Sequence, residues 1–88
     1  MMDNLTDLYS TAKDEFEIAA EETEKKTVYA ADDREAAKEA FGVLKEAYEK
    51  AVRESDPDTA REVQSRTGPR IKELENALSA VEEMAMED

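Results

Sequence analysis

Histidine, cysteine and tryptophan are absent from this chain of 88 residues. Without histidine there is no side chain that ordinarily changes charge near neutral pH, and no imidazole for a metal. Without cysteine there is no thiolate nucleophile, no disulfide and no thiolate metal site, and the redox compartment is left open. Cations are also scarce: Lys and Arg number 12 against 24 Asp and Glu, for a net charge of −12. Such a surface repels nucleic-acid phosphates and anionic headgroups, so the expected partners are neutral or basic, with no nucleic acid and no membrane. No apolar run approaches the roughly 18 residues of a membrane span, and Met1-Met2-Asp3 lacks the basic then apolar opening of a signal peptide. The expectation is a soluble intracellular protein, cytoplasmic by default, or an organelle stroma if a transit peptide has been removed.

What is present is helical periodicity. Leu5, Tyr9, Ala12, Phe16, Ala19 and Thr23 recur at steps of four and three, one stripe of a helix, with Asn4 as an expected cap. A second stripe runs Ala37, Ala40, Phe41, Leu44, Ala47, Tyr48 and Ala51. Asp32 is the expected cap there, and Glu35 three residues on completes a capping box. The third begins at Asp56-Pro57, an acceptor followed by proline at the first helical position. It continues through Ala60, Val63, Thr67, Ile71, Leu74, Leu78, Val81 and Ala85. The stripes predict one all-α domain over residues 1–88: an antiparallel up-down-up three-helix bundle with helices at about 4–27, 32–54 and 57–86.

Two places complicate that division. Residues 27–31 hold neither glycine nor proline, and the series Tyr9, Phe16, Thr23, Ala30, Ala37, Leu44, Ala51 crosses them in phase. A single helix over 4–54 therefore competes with a turn. The companion series meets charge at Lys26 and Asp33, which favours the turn. Gly68-Pro69 is the second place: a proline in a helix interior costs about 3 kcal/mol through a lost hydrogen bond and a clash with the carbonyl of Ser65. Because the stripe keeps phase across it, a kink or brief break is expected there. Counting outward from the turns sets Phe16 near Phe41 and Leu44, Tyr9 near Tyr48, and Ile71 near Phe41. Helices of such length imply a rod on the order of 35 to 45 Å.

Several features invite functional readings. The carboxylates Asp14, Glu15, Glu17, Glu21, Glu22 and Glu24 are of the type that binds hard cations, but no EF-hand loop frames any of them, and a solvated helix face accounts for the run. A di-iron bundle would need Glu-x-x-His pairs. Paired carboxylates acting on glycosides would need a walled cleft, which a narrow bundle with 6% aromatics hardly supplies. Neither a cofactor nor a metal site is expected, and the chain reads as no enzyme. Arg66 and Arg70, one turn apart beside Gly68-Pro69, can jointly hold a carboxylate or phosphate or else pair with acids of neighbouring helices. Gly42 costs a helix interior about 1 kcal/mol against alanine and faces outward in the seven-residue frame. A partner lying over Gly42 and touching Phe41 and Val43 would account for it, as would tolerance at an exposed position. Tyr29, Met84 and Met86 are apolar residues outside the stripes.

Ala31-Asp32-Asp33 followed by Ala40-Phe41-Gly42-Val43-Leu44-Lys45-Glu46 resembles the helical hairpin of the small chloroplast protein that clamps glyceraldehyde-3-phosphate dehydrogenase to phosphoribulokinase. The resemblance covers about a fifth of the chain and implies a regulatory linker. That family's bracketing cysteines are absent and Phe41-Gly42 replaces its Trp-Asp pair, so its redox control does not transfer. In architecture the chain is similar to tubulin-binding cofactor A and to microtubule-interacting-and-trafficking domains, whose third helix offers a groove to partner helices.

The expected function is a non-catalytic interaction module, an adaptor or assembly factor, that binds a basic or amphipathic helix beside helix two or three as a monomer or homodimer. A self-associating coiled coil built on a continuous 4–54 helix is the structural alternative. A hard-metal-binding bundle is the third.

Overall fold

The computed structural model describes the backbone of residues 2–86 and the side chains of residues 5–86. Three helices account for nearly all of it: α1 (Met2–Lys25), α2 (Ala30–Glu54) and α3 (Pro57–Met86), with no strand among the described residues. Each helix packs on the other two, α1 against α2 most extensively. The result is the expected three-helix bundle, a rod of 47 × 19 × 14 Å.

The buried set follows the stripes. Leu5, Ala12 and Ala19 of α1, then Ala30, Ala37, Leu44 and Ala51 of α2, recur every seven residues and are all buried. From α3 come Val63, Thr67, Ile71, Leu74, Leu78 and Val81. The seam between α1 and α2 is thus mostly alanine. Small side chains let two helix backbones approach closely, which accounts for that pair packing most extensively. The aromatic side chains of Tyr9, Phe16, Phe41 and Tyr48 sit half-buried around this centre, together with Leu8 and Val52, which lie beside the stripes and were not read as core.

A turn separates α1 from α2, as the charges at Lys26 and Asp33 favoured. Its stop signal is conformational: Lys26 takes φ 57°, the left-handed region. The Thr27 amide donates to the Glu22 carbonyl (3.1 Å), and the Lys26 amide to that of Thr23 (3.1 Å). Those two bonds form a Schellman cap, normally built on glycine at the position Lys26 fills. The missing glycine is why the turn was hard to read. Across it the Arg34 guanidinium donates to the buried hydroxyl of Thr23 (3.0 Å), tying α2 to α1.

Both expected caps fail in this half of the chain. α1 begins at Met2, which puts Asn4 inside the helix, with its side chain outside the described residues. α2 begins at Ala30, so Asp32 lies in the first turn and the capping box with Glu35 does not form. The N-cap is Tyr29, with no side-chain bond to the helix. Burying Ala30 adds one more repeat of the seven-residue series to α2 and draws the helix start forward past the better cap. Asp32 and Asp33 still favour the positive end of the helix dipole. At α3 the expectation holds: Asp56 Oδ1 accepts the Thr59 amide at 2.8 Å and Pro57 is the first helical residue.

α3 runs unbroken through Pro69, so the break is absent. The register between α2 and α3 also departs from expectation. Lys45 pairs with Glu75 (3.4 Å), Lys38 with Glu82, and a Cβ on Gly68 would stand 3.1 Å from the Tyr48 hydroxyl. Each α3 partner lies one to two turns beyond where counting from Asp56 puts it, at 3.6 residues per turn. By this register Ile71 lies below the level of Phe41. Ser55 is extended (φ −88°, ψ 159°), so the chain travels on before α3 starts, and residues 57–59 project into solvent.

Candidate partner-binding surfaces

The residues singled out along α2 do not share one surface. Successive helix positions turn by about 100°, so Phe41 and Val43 point to different sides. Phe41 packs against the core, on the same stripe of α2 as Lys38 and Lys45, which reach α3. Gly42 faces outward, and a Cβ placed there would meet nothing within 4 Å. Val43 is 53% exposed. A partner seated over Val43 would therefore not reach Phe41.

Arg66 and Arg70 are brought together, as their spacing implies. They line a shallow recess of about 340 Å³ with Thr6 and Thr67, at the α1–α3 edge. Arg66 pairs with Glu62 of its own helix at 3.1 Å, and Arg70 lies over the Tyr9 ring, 5.8 Å from its centroid. Neither arginine bridges to an acid of a neighbouring helix among the described residues. Cation–π contact at an exposed site is worth about 0.5–1 kcal/mol, enough to bias the orientation of Arg70.

The inter-helix ion pairs are made elsewhere. Lys38 and Lys45 of α2 reach Glu82 and Glu75 of α3, and Lys72 of α3 supports Glu75 from its own helix (3.8 Å). Cations from α2 are thus drawn towards α3. Lys25 is held by Glu21 at 2.8 Å, which raises the lysine and lowers the carboxyl from their ordinary values through the hydrogen bond first and the charge second. Among the described residues no three carboxylates converge where a cation would sit.

Two groups of exposed apolar side chains remain. One lies at the turn end of the rod: Val28, Tyr29, Met84 and Met86, near a recess of about 220 Å³ lined in part by Val28, Ala31, Arg34 and Ala85. The other is Ile18 on α1 and Val43 on α2. Ile18 was missed in the sequence because it falls beside the stripe, surrounded by acids. A lone isoleucine off the stripe was the available signal.

These features define the class: a small all-α domain whose helices expose isolated apolar side chains on an acidic surface. The embryogenesis-like protein helical domain family model matches residues 1–83, and the chain belongs to that family. No curated protein and no solved structure matches the chain. No helix among the described residues is long and apolar enough to cross a membrane.

Proposed function

We propose that this domain is a non-catalytic interaction module that binds a basic, amphipathic helical segment of another protein. The observation behind the reading is the exposure of Ile18 and Val43 on helices whose surface is dominated by carboxylates. An apolar contact gives such a partner its affinity, and its lysines or arginines answer the net charge of −12. The recesses are small and open, which suits a docked side chain better than an enclosed substrate.

The coiled-coil alternative required one helix over 4–54, and the turn at 26–29 removes that helix. Association of copies through the surface also works against twelve net negative charges on each chain.

Isothermal titration tests the reading with two designed helical peptides that share a leucine face, one with a lysine polar face and the other glutamate. Binding of the lysine peptide alone, weakening as salt rises, is the expected result. No binding of either at low salt would count against the module.

A further inference from the structure

We infer that the basic helix docks on the outer face of the α1–α2 pair, opposite α3, lying along the rod as a fourth helix. This inference rests on the interaction-module reading and names its surface.

Helical geometry defines the face. On α1 the residues turned towards α3 are those sharing recesses with it, Tyr9, Lys13 and Phe16. Ile18 is two residues beyond Phe16, about 200° around the helix at 100° per residue. On α2 the residues turned towards α3 are Lys38 and Lys45, through their ion pairs, and Tyr48, against Gly68. Val43 lies two residues before Lys45, again about 200° away. Ile18 and Val43 therefore both stand on the side that α3 leaves open. Ile18 is 46% exposed, and half-buried Ala36, Ala40 and Ala47 line the α2 side between Val43 and the seam. Two branched side chains, with low alanines on the α2 side between them, offer a footing against which a helix can set its own apolar ridge.

Charge selects the occupant. Asp14, Asp32 and Glu39 border this face by the same periodicity, half-buried Glu15 and Glu22 stand between Ile18 and the seam, and among the described residues none of these carboxylates has a cation within ion-pair distance. Lys38 and Lys45 are occupied on the other side with α3, while Lys25 and Lys50, seven residues beyond Ile18 and Val43, are cations at opposite ends of the face, and Lys25 is held by Glu21. The face thus sets Ile18, Val43 and the α2 alanines among carboxylates, the complement of a helix with an apolar ridge and basic flanks. A second copy would set like margins against each other.

The lysine-faced peptide is titrated against wild-type protein, against Ile18→Ser/Val43→Ser, and against Arg66→Ser/Arg70→Ser. Circular dichroism checks that both variants remain helical, and amide NMR shifts map the bound site on the wild type. The expected result is about tenfold or greater weakening in the Ile18/Val43 variant, little change in the arginine variant, and shifts centred on residues 15–22 and 36–47. Wild-type binding that persists unchanged in the Ile18/Val43 variant, with shifts elsewhere, overturns this placement and leaves the module reading standing. Absence of wild-type binding overturns both. Concentration-dependent dimerisation in light scattering, abolished by Ile18→Ser/Val43→Ser, would replace the basic helix with a second copy.

Discussion

Three residues in this chain stand in conformations or surroundings that their neighbours do not share. Lys26 holds a left-handed backbone, which a side-chain-bearing residue adopts at a cost of roughly 1–2 kcal/mol. Lys26→Gly is expected to stabilise the fold by about 0.5–1 kcal/mol, because glycine reaches that conformation freely but loses more entropy on folding. Urea unfolding measures it, and a loss of stability would mean that the lysine side chain contributes more than its backbone costs. The two glycines differ in the same way. Gly42 stands in open space within a helix, so Gly42→Ala is expected to stabilise by about 1 kcal/mol. Gly68 precedes Pro69, where a Cβ crowds the proline ring, and its own Cβ would meet the Tyr48 hydroxyl at 3.1 Å. Gly68→Ala is therefore expected to destabilise despite the better helix propensity, and Tyr48→Phe in the same chain to recover part of the loss. Thermal melts of the single and double variants check both. Only the tyrosine of another helix shows that Gly68 has the tighter surroundings.

At the scale of elements, the α1–α2 seam depends on side-chain size. Ala37 is fully buried, and Ala37→Leu is expected to force the helices apart at a cost of about 1–3 kcal/mol. Leu44→Ala opens a cavity instead and costs about 2–5 kcal/mol. Denaturation midpoints at constant m-value would verify both, and indifference to Ala37→Leu would show the seam to be loosely packed. The cap of α3 makes a prediction with a sign. Backbone hydrogen bonding from Thr59 holds the Asp56 carboxyl below its ordinary value of 3.8. A carboxyl lowered in the folded state adds stability that is complete above that value and is lost as pH falls through the lowered one. Asp56→Asn keeps an acceptor at the cap, and it is expected to remove this loss below pH 3.8 while changing little at pH 7. Melting temperature against pH, for both chains, is the measurement. The helices and their buried faces were legible because apolar spacing is a local property of the chain. The starts of α1 and α2 were not, because burial of Ala30 outweighed the better cap at Asp32.

Over the whole molecule the charge is the largest single fact. Twelve net negative charges repel one another in the compact state, and neutralising some of them on mild acidification, from pH 7 towards 5, is expected to raise the melting temperature. Added salt at pH 7 should act in the same direction by screening. A melting temperature that falls over that interval would show that specific pairings outweigh the repulsion. The candidate surface was only half legible. Val43 was singled out and Ile18 was not, because their relation runs across two helices and depends on where α3 lies.

The sequence by itself determined that this is an acidic, all-α chain of three helices, since the periodicity of its apolar residues needs no partner to be read. Only the tertiary structure decided the register of α3 against α2 and the face that α3 leaves open. Both follow from the extended residue at Ser55 and from alanines that let α1 and α2 close on each other, and a packing choice between distant segments leaves no local mark in the chain.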